Sequence, residues 1–266
     1  MKEMMKIGAA ALAVAAFVPA FAQEVAAVDQ AVEAEEPVAV VAAAEAETET
    51  EGETEGECVY ESVGWTPLAL GIATPIQLPW GWRKWDVFGL DLNLIYSDTP
   101  TMYGLDIGLL ALQTREESAG AFFSIAFNGA RKDVKGLRAT IGVNYCGGTV
   151  RGVELDGIGL RESIYGVDLN IVGAVQKNMC GVEISTLGNF SSVESYGVTL
   201  AGVCNMARSA YGLQMSILFN QTEALNGCQV ALVNFADECV SGFQIGLINI
   251  ILSNQVKVLP FVNGYF

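Results

Sequence analysis

From Gly89 onward, apolar and polar residues alternate with period two, in units that each begin with a glycine followed by an apolar residue. The glycines are Gly89, Gly104, Gly120, Gly136, Gly152, Gly166, Gly181, Gly197, Gly212, Gly227 and Gly242, spaced 14 to 16 residues apart. Such alternation is the mark of a β-strand, not a helix. One face is apolar with aromatic ends, as in Phe88, Leu90, Leu92, Leu94 and Tyr96, or Tyr211, Leu213, Met215, Ile217 and Phe219. The other face is polar or small and carries Asp91, Asp106, Arg138, Glu154, Asp156, Asp168, Glu183, Gln214, Gln229 and Gln244. Polar segments such as Ser97 to Pro100, Arg131 to Asp133 and Gln221 to Glu223 read as turns between strands of about ten residues. Near the ends of units the alternation breaks, at Leu218, Val233 and Ile248, where both faces are apolar. With 66–76 before the repeats and 256–266 after them, the pattern predicts about thirteen strands in an all-β fold.

Two architectures fit. An antiparallel transmembrane β-barrel has lipid-facing apolar side chains, a polar lumen and aromatic girdles. The aromatics Phe88, Tyr96, Tyr103, Tyr165, Tyr196, Tyr211, Phe219 and the terminal Phe266 then mark the membrane interfaces. A parallel β-solenoid with one coil per repeat buries the apolar face as its core and leaves the Gln and Asp face wet. The period itself speaks for the solenoid. Antiparallel neighbours meet different surroundings at their two ends, so a barrel should repeat every two strands. The aromatic belt favours the barrel, which is the expectation taken forward, with the solenoid as its alternative.

Before the repeats the composition changes twice. Residues 1–22 have Lys2 and Lys6, an apolar run from Ile7 to Pro19, and Ala20-Phe21-Ala22, the pattern of a cleavable secretory signal. That run is too short to cross a bilayer, which takes about 20 residues. Residues 23–58 form an acidic Ala/Glu/Thr-rich spacer without Lys or Arg, where alternate glutamates repel and little can be buried; disorder is expected. The whole chain carries a formal charge of −16 over 266 residues. From Cys58 onward there are 17 acidic and 12 basic residues, so most of the acidity belongs to the spacer. Residues 59–266 are the β-repeat domain.

The repeats resemble a family of bacterial surface-repeat and outer-membrane proteins built from tandem G-φ-Q-φ-G-L-φ-N units, φ being apolar. Phe243-Gln-Ile-Gly-Leu-Ile-Asn249, the stretch Val87 to Tyr96 and Pro260 to Asn263 carry the likeness; Arg138, Glu154 and Thr199 depart from it by replacing the Gln. A terminal apolar strand ending on Phe266 also resembles the end of outer-membrane barrels. The resemblance implies an outer-membrane or cell-surface location (the periplasm is the alternative). Its implied partners are outer-membrane lipid and, through the last strand, the barrel-assembly machinery. It implies no activity.

The chain has no histidine, which removes Ser-His-Asp and Cys-His catalysis and the usual His-containing zinc sites, and it weakens a lipid-modifying barrel enzyme. Strong acidity argues against nucleic acid. Cys58, Cys146, Cys180, Cys204, Cys228 and Cys239 show no C-x-x-C spacing, so mostly structural thiols are expected rather than a metal or redox motif, with one or two cross-strand bridges left open. The paired carboxylates Glu154 and Asp156 lie two apart on one strand face and read as part of a polar lumen or wet face, not as a hydrolase dyad. No cofactor or metal is expected. The expected function is a non-enzymatic envelope protein, structural or a small-solute pore; the alternative is a surface solenoid that binds or adheres.

Overall fold

A computed structural model describes residues 64–73, 76–79 and 85–265. The expected signal, the acidic spacer, Cys58 and Phe266 lie outside the described residues. The described chain is a parallel β-solenoid of about ten turns, which corrects the expectation of an antiparallel barrel. The strands are β1 (Gly64–Ala73), β2 (Ile76–Leu78), β3 (Trp85–Thr99), β4 (Met102–Gly108), β5 (Ala111–Thr114), β6 (Ser118–Ser124), β7 (Phe127–Ala130), β8 (Val134–Thr140), β9 (Val143–Ser185), β10 (Gly188–Ala201), β11 (Cys204–Ser216), β12 (Phe219–Val230), β13 (Val233–Ile251) and β14 (Val258–Gly264).

Each repeat closes one full coil, so the same residue type returns to the same side every 14 to 16 residues. Glycine pairs with glycine between neighbouring coils: Gly89 with Gly104, Gly197 with Gly212, Gly212 with Gly227. A coil has two legs. The first carries the glycine, as in β4, which pairs with β3 and β6; the second is shorter, as in β5, which pairs with the end of β3 and with β7. The doubled apolar positions, Leu109-Leu110 or Ile217-Leu218, form the corner from the first leg to the second. They are not strand ends at a membrane surface. Of the expected turns, Arg131 to Asp133 does lie at the opposite corner, whereas Ser97 to Thr99 belongs to β3 and Gln221 to Glu223 to β12.

The solenoid is inverted in polarity relative to the solenoid expected from the sequence. Counting from each glycine, positions 2 and 4 point inward: Asp91, Asp106, Arg138, Glu154, Asp156, Asp168, Glu183, Gln214, Gln229 and Gln244 are all buried. Positions 1, 3, 5 and 6 point outward, and Leu94, Ile141, Ile171, Ile217 and Leu247 on them are exposed. The interior is not wholly polar. Two residues before the glycine, Val87, Met102, Val134, Val150, Ile164, Met179, Ala210 and Leu225 stack as an apolar row beside the polar one. A two-legged coil is thin. One apolar row fills part of it, and in the middle and C-terminal coils most members of the polar row bond to one another in place of water.

The ends are closed differently from the coils. At the start, β1 runs parallel to β3 and β2 folds back on β1 antiparallel. At the finish, β14 runs antiparallel to β13, and Pro260 within it lacks an N–H for a further strand.

Candidate functional site

Inside the C-terminal coils, side-chain amides form two ladders. Asn189 donates to Asn205 at 3.0 Å, Asn205 to Asn220 at 3.1 Å, Asn220 to Asn234 at 3.1 Å and Asn234 to Asn249 at 2.9 Å. Gln244 donates to Gln229 and Gln229 to Gln214, both at 2.9 Å. Each ladder Asn also reaches a main-chain carbonyl on the other leg, Asn205 to Met215 O at 2.8 Å and Asn234 to Ile245 O at 2.8 Å. The Asn therefore ties the two legs across the corner as well as coil to coil. The sequence reading missed this row, although the final N of the repeat unit, eight residues after Gly212 at Asn220, is its signature.

In the middle coils charges replace the amides. Arg138 lies 2.9 Å from Glu154 and donates to the carbonyls of Asn128 at 2.5 Å and Tyr145 at 2.9 Å. Arg161, which the sequence reading also missed, comes from a second leg and contacts Glu154 and Asp168, with Asp156 at 3.7 Å and Glu183 at 3.9 Å. Gln176 donates to Glu183 at 2.9 Å. Burial pushes Asp156 and Glu183 up to about 7, against the opposing pull of Arg161. Four carboxylates thus surround two guanidiniums, an excess of acids over bases in a site closed to water. Glu154, Asp156 and Asp168 lie close enough to share one cation; the guanidinium of Arg161 already stands among them. Further towards the N-terminus, Asp91 and Asp106 face each other on paired positions. Burial raises both, Asp91 to about 6 and Asp106 well above the usual carboxylate range, where Asp91 adds repulsion.

The polar candidates read from the sequence are thus brought together as the filling of the coils. No barrel lumen surrounds them, and none forms a wet face. The aromatics lie outside. Phe88 and Tyr103 stack at 5.2 Å, Tyr196 and Tyr211 at 4.3 Å, and Arg151 sits 6.0 Å over the ring of Tyr165. All belong to the outward row just before the glycine. Tyr96 and Phe219 instead lie on the second leg, where Tyr96 donates to Gln113 at 2.7 Å. The pairs Phe88/Tyr96 and Tyr211/Phe219 therefore flank a corner and are not the two ends of one straight strand. Cys146, Cys180, Cys204, Cys228 and Cys239 are all unbridged, so no cross-strand disulfide forms among the described residues.

The most distinctive surface is the outer one. Positions 1, 3, 5 and 6 of eleven coils, from Leu90 to Ile248, hold no charged residue. The opposite corner and the end of the second leg that leads into it carry Arg115, Arg131, Lys132, Glu162, Lys177, Arg208, Glu223 and Asp237. Within the apolar rows a depression of about 330 Å³ opens beside Ala139, lined by Phe123, Leu155, Leu169 and Ile171. Among the described residues no helix is long and apolar enough to cross a membrane.

No family model matches the chain, and it matches neither a curated protein nor a solved structure.

Proposed function

We propose that the chain is an exported, non-enzymatic β-solenoid of the bacterial envelope that binds through its outer apolar face. The observation that carries this reading is the inverted polarity. A solenoid normally spends its aliphatic rows on its own core. Here the core is closed by amides, ion pairs, one apolar row and single apolar residues such as Leu112, Phe122 and Ile251, and the outward aliphatic rows are left for a partner. An apolar patch of that extent on a soluble chain marks an interaction surface. The signal-like start and the likeness to surface-repeat proteins support the envelope location. A small-solute pore has no support in the coil, whose interior is filled by side chains.

The reading is tested by fractionating cells that express the full chain and treating intact cells with protease. The expected result is a processed protein in the envelope fraction, degraded from outside. A soluble protein retained in the cytoplasm, with its first residues intact, overturns the reading.

A further inference from the structure

Resting on that reading, we infer that the partner of the outer face is a lipid layer, on which the solenoid lies with its axis along the surface and without crossing it. Four features of the face name lipid over protein. The first is extent. Eleven coils at about 4.8 Å each, with four rows across a leg and its corner, give an apolar strip on the order of 800 Å², against about 300–600 Å² for the largest patch on a typical monomer. The second is composition. The rows are mostly Leu, Ile, Val, Ala and Met, with Phe123 and Phe243 as their aromatic members and no Trp, Tyr or Arg, whereas protein interfaces concentrate their affinity in Trp, Tyr and Arg and use Leu and Val sparingly. The third is curvature. The most exposed positions, Ile141 at 68%, Ile217 at 65% and Ile171 at 59%, lie on the corner and not on the flat leg. A rigid second copy that covered the leg would leave that convex edge wet, whereas acyl chains flow round it.

The fourth is the rim. Between the aliphatic rows and the charged corner runs the row before the glycine, where Tyr103, Lys135, Arg151, Tyr165, Tyr196 and Tyr211 fill six of the eleven positions. Aromatic rings and long basic side chains are the residues that settle at a headgroup boundary, with rings at the interface and charges reaching out to water. The surface thus passes from aliphatic through aromatic and basic to fully charged around the coil, in the order in which a lipid surface passes from acyl chain to headgroup to water. The docking is apolar in origin, so it does not depend on anionic lipid.

The test is flotation of the full chain with vesicles of phosphatidylcholine alone and of phosphatidylethanolamine with phosphatidylglycerol, at low salt and at about 0.5 M salt, where charge attraction is screened within about 4 Å. The expected result is flotation with both compositions at both salt concentrations. The triple variant I171K/I217K/L247K should lose at least about tenfold in bound fraction while its circular dichroism and melting temperature stay those of the parent. Should the triple variant unfold, Ile217→Lys alone gives the same comparison at one of the most exposed positions. Flotation confined to anionic vesicles at low salt, or unchanged in the lysine variants, overturns the inference. A dimer that does not float and that the lysines dissociate overturns it too, but leaves the binding face of the proposed function standing. A monomer that needs neither lipid nor detergent and does not float overturns both.

Discussion

Gly212 shows what one residue must supply for the coils to stack. Its φ is 122°, a conformation other residues rarely adopt, and a Cβ there would collide with the carbonyl oxygen of Gly197 one coil back. Gly212→Ala is therefore expected to cost about 2 kcal/mol or more, read as a lowered denaturation midpoint. Asn220 is the next case. It accepts from Asn205 and donates its two N–H groups to Val230 O and Asn234. Asn220→Ala leaves several buried partners unmatched and should cost about 3 kcal/mol by the same measurement. The charged coils give a prediction in pH. Asp156 and Glu183 titrate near 7 in the fold, above the values of 3.8 and 4.5 usual for the free side chains. Between about pH 4 and 7 the folded chain holds protons that the unfolded chain has released, so stability falls as the pH rises through that window and then levels off. The melting temperature should be higher at pH 5 than at pH 8 by at least about 5 °C. Asp156→Asn should shrink that difference. At this scale the sequence was largely legible: a glycine with near-constant spacing announces a backbone constraint, and Asp, Glu and Gln in one phase announce a shared environment. Arg161 was not legible, because it sits on a second leg whose inward phase the sequence alone does not fix.

Among the elements, period two was read correctly and its interruption was not. Alternation tells which side chains share a face; it does not tell where a strand turns a corner while keeping its hydrogen bonds. Leu218 and Val233 looked like the ends of strands, yet the chain bends there and continues as the second leg. The same holds for β9, which runs 43 residues from Val143 to Ser185 through successive coils. If the coil is the true unit, it can be removed as a unit. Deleting residues 213–227 joins Gly212 to Cys228, which restores the Gly-φ-Gln register of the neighbouring coils. That variant is expected to keep its strand signal by circular dichroism and to melt cooperatively with a modest loss of stability. Deleting one residue fewer, 214–227, turns the following aliphatic row inward and the Gln row outward, and should abolish the folded baseline.

For the whole molecule, the sequence contained the decisive clue in its period, and the aromatic residues outweighed it. One repeat per turn means identical neighbours, which parallel coils supply and antiparallel barrel strands do not. The aromatics suggested two rims of one spanning strand because eight residues of extended chain reach about 26 Å; a corner between Phe88 and Tyr96 cancels that reach. The inversion of polarity could not be settled by pattern, since alternation is blind to which face is inside. Its consequence is a gradient along the axis. The C-terminal coils are closed by amide ladders in which each rung is bonded to the next. Further towards the N-terminus, Asp106, Asn128, Asn144, Asp156, Asp168 and Asn170 each keep a buried polar atom without a hydrogen-bond partner, whereas among the coils after Asn189 only Gln244 does. Buried polar atoms left unmatched cost about 1–3 kcal/mol each. In a solenoid each coil answers only to its neighbours, so this cost stays local and is not averaged over the domain. Hydrogen exchange followed by mass spectrometry, corrected for intrinsic rates, should show slower exchange in peptides from 205–250 than in those from 91–170. Uniform protection along the axis would mean that the unmatched atoms of the charged coils are satisfied in solution, and that the ladders confer no local advantage.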